Sequence, residues 1–169
     1  MSKNNIITEA NSESVDTKIT EEAVTEQMQE DKAKNRNNIS RYKMREQAVL
    51  LVFERLFSDA GVDEIADNII DSRDEYYSDY AIDTAKSIED KLTEIDACIS
   101  EHLSSGWKIS RISRISLAIL RVAVYEMKYV DEVPVSVAIN EAVELTKKYS
   151  TDDASFVNGV LGSIAKELE

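Results

Sequence analysis

An all-α fold, a compact bundle of about six helices, is what the sequence predicts, and three observations carry that expectation. The chain of 169 residues contains four glycines and one proline, whereas β-sandwiches and barrels need many more turn residues. From Ile39 onwards, apolar residues recur every three to four positions, the period of a helix with one buried face. The connectors between these periodic stretches are short, as between neighbouring helices packed against each other.

Residues 1–38 are the exception. They are rich in Asn, Ser, Thr, Glu and Gln and contain no aromatic residue. Their scattered apolar positions cannot bury enough surface to offset the entropy of ordering the backbone. A disordered acidic and polar tail over 1–38 is therefore expected, followed by one helical domain over 39–169. A short helix near Glu21–Lys32 would be marginal on its own.

The domain opens with Ser40, suited to N-cap a helix from Arg41 to Phe57 that carries Met44, Ala48, Leu51, Val52, Leu56 and Phe57 on its stripe. Gly61 interrupts the pattern, and Asp63 starts a short helix with Ile65, Ala66, Ile69 and Ile70 on one face. A long helix is expected to open at Ser72–Asp74. Its stripe runs through Tyr77, Tyr80 or Ala81, Thr84 or Ala85, Ile88, Leu92, Ile95 and Ile99 to Leu103, and Gly106-Trp107 ends it. Ser110 to Tyr129 is apolar on nearly every side, the mark of a central buried helix. Pro134 stands where a helix start tolerates it, ahead of a helix over about Ser136–Lys148. The last helix covers about Asp152–Leu168, with Asp152 and Asp153 favourably placed at its positive N-terminal end.

Catalysis finds little support. The one histidine, His102, and the one cysteine, Cys98, share a helix face four residues apart. Two ligands are too few for a closed zinc site, so no metal is expected. No nucleophile–base arrangement and no glycine-rich phosphate loop occurs, and no cofactor is expected. Cys98 lies on an apolar stripe and reads as a small buried hydrophobe rather than a reactive thiol. No apolar run is long enough to span a membrane. The polar N-terminus lacks the apolar core of a signal peptide, which predicts a cytoplasmic protein.

The net charge is −13, which on its own argues against nucleic acid, since phosphate neutralisation supplies most non-specific affinity. The distribution matters more. Arg41, Lys43 and Arg45 open the first helix of the domain, with Lys34 and Arg36 just upstream. Cations are unfavourable at the positive end of a helix dipole. An anion-binding role explains them, because phosphate is drawn to the free N–H groups there; an ordinary solvated charge run is the alternative. Lys108, Arg111 and Arg114 form a second basic group, in which Arg111 and Arg114 are expected to share a face. Arg121 sits inside an apolar stretch and needs an acid, for which Glu126 and Glu141 are the candidates.

The residues also resemble a known family. Leu120-Arg121-Val122-Ala123-Val124-Tyr125-Glu126, Ala138-Ile139-Asn140-Glu141-Ala142-Val143-Glu144-Leu145 and Phe156-Val157-Asn158-Gly159-Val160-Leu161 are similar, in order and spacing, to three blocks of NusB proteins. Arg45-Glu46-Gln47-Ala48 resembles the opening helix of that family, and the likeness covers about Arg41 to Ala165. It implies a transcription antitermination factor and no enzyme. Such a factor binds single-stranded boxA RNA together with NusE, a ribosomal protein, and acts on RNA polymerase elongation complexes, notably in ribosomal RNA operons. The family's RNA contacts map onto Arg41, Lys43 and Arg45. Tyr42 either stacks on a base or lies on the surface; Phe156 either meets RNA or belongs to the core. Asn140 and Asn158 are expected to be buried and hydrogen-bonded, and Gly159 and Gly162 to permit close helix packing. A free-standing NusB-like module in another RNA-binding or protein-interaction role is the alternative.

Overall fold

The helix expected after Ser40 forms as α1, Arg41–Arg55, in a computed structural model that describes residues 23–27, 39–73 and 76–168. The Ser40 hydroxyl accepts the Lys43 backbone N–H at 3.2 Å, so the cap is made as expected. Ala48, Val49, Leu51 and Val52 are buried. Phe57, placed on the stripe by periodicity, lies past the end of α1 and is 58% exposed. The chain divides into Met1–Asn38 and Ile39–Glu169. In the first unit, residues 23–27 form an exposed helical turn; the rest of the expected tail, with Lys34 and Arg36, lies outside the described residues.

The next stretch departs from the expected short-then-long pair. Helix α2, Val62–Arg73, continues through the point where the long helix was to begin. The long helix is instead α3, Asp79–Asp90, and α4, Leu92–Glu101, broken at Lys91. A side chain of α1 explains the late start of α3. The Gln47 amide donates to the Tyr76 carbonyl at 2.8 Å and accepts the Ser78 N–H at 3.0 Å. These two bonds satisfy extended backbone that a helix would otherwise satisfy internally. Ser78 then caps α3 by accepting the Ala81 N–H at 3.2 Å. Tyr77, Ala81, Ala85, Ile88, Ile95 and Ile99 are all buried, so one stripe runs across both interruptions and hides them from a periodicity argument.

Helix α5 is Arg114–Tyr129, capped by Ser113 and preceded by a 3-10 turn at Ile109–Arg111, so it starts later than Ser110. It is the central helix. Leu117 to Leu120, Val122 to Val124 and Met127 are buried, and it packs against α1, α3, α4 and two C-terminal helices. These are α6, Val135–Tyr149, with Pro134 at its N-cap, and α7, Ala154–Leu168, which follows a 3-10 turn at Thr151–Asp153. Among the described residues no helix is long and apolar enough to cross a membrane. The bundle thus has the all-α architecture the sequence predicts, with seven α-helices in the described part of Ile39–Glu169.

Four polar or glycine positions of the motifs are corrected by the structure. Asn140 and Asn158 are exposed, because α6 buries Ala138, Ala142 and Leu145 and α7 buries Val157, Val160, Leu161 and Ile164, leaving both asparagines off the buried stripe. A Cβ placed at Gly159 or Gly162 would meet nothing within 4 Å, so neither glycine is required by a close approach. Arg121 does need an acid, but it is Asp96 on α4, bound through Nε at 2.8 Å and Nη2 at 2.7 Å. The expected candidates, Glu126 and Glu141, are both held by Arg45.

Candidate nucleic-acid interface

The three cations that open α1 separate into two kinds. Arg41 and Lys43 are exposed, and Tyr42 is half-buried against the core. Arg45 points inward and is 5% exposed. Its Nε donates to the Glu126 carboxylate at 2.7 and 3.0 Å, and Nη1 to Glu141 at 3.2 Å. The Tyr80 hydroxyl donates to the same Glu126 carboxylate. Burial opposes the Arg45 charge, yet the hydrogen bond and field of Glu126 outweigh it and hold the guanidinium more firmly protonated than usual. The expectation that Arg45 contacts RNA is therefore corrected: Arg41 lies at the open end of the first turn, whereas Arg45, one turn further in, is covered by α5 and α6 and engaged by Glu126 and Glu141.

Next to it, Glu46 is also buried and organises the exposed cations. Its carboxylate accepts from Lys43 Nζ at 2.9 Å, from the Tyr149 hydroxyl at 2.8 Å and from Lys148 Nζ. Burial alone would raise the Glu46 carboxyl; the bonds from Lys148, Lys43 and Tyr149 win and bring it down to about 2. Burial, with the Glu46 hydrogen bond, pushes the Tyr149 phenol up to about 12, so it stays a donor. The start of α1 and the end of α6 thus form one surface: Arg41, Tyr42, Lys43, Lys148 and Tyr149 around an internal carboxylate. Such a surface offers phosphates two lysines and an arginine beside a capped helix N-terminus, and offers bases two phenol rings.

Lys148, Tyr149 and Glu46 escaped the sequence reading. Lysines in the last turn of a helix are conventional partners of its dipole and signal nothing. The contact between residues 46 and 148 spans 102 positions, beyond what local spacing reveals.

Phe156 lies in the first turn of α7, half-buried, with its ring centroid 6.2 Å from that of Trp107. Lys108, Arg111 and Arg114 are all exposed. Arg111 and Arg114 do not share a face, because the N-cap at Ser113 separates the 3-10 turn from α5. The Arg111 guanidinium carbon sits 4.7 Å from the Trp107 ring centroid and that of Arg114 sits 4.3 Å from Phe57. Asp153 ties the neighbouring turn down, its Oδ2 accepting from the hydroxyls of Ser113, Ser116 and Ser150 at 2.7–2.8 Å; these bonds hold its carboxyl below the ordinary aspartate range.

At the C-terminal end of α4, His102 Nδ1 donates to the Cys98 carbonyl at 2.8 Å and Nε2 lies 3.2 Å from Glu167. Among the described residues no group of three or more His, Cys, Asp or Glu is placed to hold a metal ion. Burial pushes the Cys98 thiol up, which disfavours the reactive thiolate.

The model of the NusB family matches residues 42–166. The transcription antitermination protein NusB of Acetivibrio thermocellus is 43% identical over 125 residues, which are 72% of this chain and 86% of that protein. NusB of Natranaerobius thermophilus is 43% identical over 136 residues, 77% of this chain and 97% of that protein. Among solved structures, T. maritima NusB superposes with a TM-score of 0.66 at 32% identity, covering 76% of this chain and 92% of that one. A structure of the antitermination factors NusB and NusE in complex with double-stranded RNA superposes with a TM-score of 0.65 at 27% identity, covering 76% and 99%. With a family model matched over most of its length and relatives of this identity along nearly their whole chains, the protein belongs to the NusB family.

Proposed function

We propose that this protein is a transcription antitermination factor that binds single-stranded boxA-type RNA together with the ribosomal protein NusE and acts on RNA polymerase elongation complexes, notably in ribosomal RNA operons. Its role is recognition and assembly, with no catalytic step, and its place of action is the cytoplasm. The observation that carries the reading is the surface built around Glu46, where exposed Arg41 stands beside Lys43 and Lys148, both half-exposed and sharing one buried carboxylate, in a chain of net charge −13. A buried acid that fixes two lysines side by side reduces the side-chain entropy lost when they meet a phosphate. The curated relatives named for antitermination, and the similar NusB solved with NusE and RNA, support the same reading. Residues 39–169 are the proposed RNA-binding domain and residues 1–38 a separate tail.

The test is fluorescence anisotropy of a labelled boxA-type RNA titrated with the full chain, alone and with NusE. Binding that tightens with NusE, and that an unlabelled single strand of the same sequence competes away better than a duplex, is the expected result. Absence of binding in both arms would overturn the reading.

A further inference from the structure

We propose that Trp107 and Arg111 form a stacking subsite for an unpaired nucleobase, extending the RNA surface beyond Phe156; this rests on the RNA-binding reading above. Trp107 is 44% exposed, an unusual situation for a large aromatic ring in a surface this charged. It is held out by structure. The Trp107 backbone N–H donates to the Ser104 carbonyl at 2.9 Å in a turn whose Gly106 has φ +78°, a conformation residues other than glycine rarely adopt. The following 3-10 turn brings Arg111 over the indole at 4.7 Å, and Phe156 approaches from α7 at 6.2 Å. A guanidinium stacked on an indole is the pairing that single-strand RNA sites use: a planar face for a base, beside donors for its phosphate. Lys108, next along the chain and exposed, adds a second positive charge.

A run of contacts links the subsite to the surface around Glu46. Glu46 joins the start of α1 to Lys148 and Tyr149 at the end of α6. The connection from Tyr149 to Phe156 is the 3-10 turn that Asp153 fastens to the start of α5. The turn bearing Trp107 enters α5 at that same start. The start of α1 lies beside the later half of α5, where Arg45 meets Glu126, and the Trp107 turn enters the start of α5, about 18 Å away along that helix, so a strand leaving the cations of α1 crosses the 150–153 turn to reach the Trp107–Phe156 pair. The Asp153 carboxylate on this route is occupied by three hydroxyl donors, which lessens its repulsion of phosphate.

Trp107 is the only tryptophan in the chain, so its emission reports this subsite alone. The experiment titrates the full chain with a labelled single-stranded boxA-type RNA and follows label anisotropy and Trp107 fluorescence together. Binding should quench the tryptophan in step with anisotropy. Trp107→Ala should weaken affinity on the order of tenfold, and Trp107→Phe should restore most of it. Neither variant removes a charge, so both should keep the wild-type salt dependence, and circular dichroism should show the fold retained. RNA binding with unchanged emission and unchanged Trp107→Ala affinity would overturn the subsite and leave the RNA-binding reading standing. No anisotropy change would overturn both. Emission that responds to NusE alone, with no further response to RNA, would overturn the subsite by assigning this face to a protein.

Discussion

Removing the Arg45 guanidinium should be among the most damaging single changes in the domain, and the reason is the carboxylate it leaves behind. Arg45 and Glu126 have side chains 6% and 0% exposed. In Arg45→Ala, Glu126 keeps, among the described residues, only the Tyr80 hydroxyl as a neighbour that donates to it. Breaking a buried pair by deleting one member typically costs about 3–5 kcal/mol, because an uncompensated charge stays inside. Against a domain stability of about 5–15 kcal/mol, that is a large share. With a urea m-value of about 2 kcal/mol per molar, a loss of about 4 kcal/mol moves the midpoint by about 2 M. Urea unfolding of the full chain followed by circular dichroism measures it. The double variant Arg45→Met, Glu126→Leu should recover much of the loss, since a packed apolar pair dispenses with both buried charges. A loss below about 1 kcal/mol in Arg45→Ala, with RNA affinity falling as far as in Arg41→Ala, would refute the argument. It would place Arg45 back on the RNA surface, where its position in the sequence suggested.

Three further outcomes follow from the same geometry. Arg121→Ala should cost about 2 kcal/mol in the urea assay, less than Arg45→Ala because Asp96 remains 28% exposed; Arg114→Ala, which loses only an exposed cation–π contact, should cost less than about 1 kcal/mol. The Glu46 carboxyl, lowered from 4.5 to about 2, contributes stability that is complete above pH 4.5 and is lost as pH falls toward 2; the stability gap between wild type and Glu46→Gln should therefore be widest near neutrality and shrink through that window in acid titrations. Deleting residues 1–38 should leave the urea midpoint nearly unchanged, since the core residues described all lie beyond Ile39; a drop of several kcal/mol would show that the tail docks.

The sequence was most legible where one helix decides its own fate. The Ser40 cap, the all-round burial of α5 and the position of Pro134 follow from local chemistry and appear as expected. The breaks at 76–78 and at Lys91 were not legible, because the buried stripe keeps its step across both while a side chain from α1, Gln47, holds the extended backbone at Tyr76 and Ser78. The site was legible in position and less so in membership. A charge run shows that cations crowd a helix start, but only the direction of each side chain separates Arg41 and Lys43 from Arg45. Pairings between distant helices, Arg121 with Asp96 and Glu46 with Lys148, depend on which faces meet in the bundle. Asn140 and Asn158 show the converse error: polar residues in apolar motifs were read as buried, yet each lies between the buried positions of its helix and faces solvent.

A salt titration of RNA affinity tests whether the exposed cations around Glu46 bind RNA phosphates. Arg41, Lys43 and Lys148, as three single-strand phosphate contacts, give a slope of log affinity against log salt of roughly −0.7 × 3, about −2. Affinity for a boxA-type strand should then fall on the order of 20-fold between 50 and 200 mM salt. Arg41→Ala with Lys43→Ala removes two of the three contacts and should bring the slope to about −0.7, with the helical content unchanged. Equal slopes for the wild type and this double variant would contradict the claim and move the phosphate contacts to another surface.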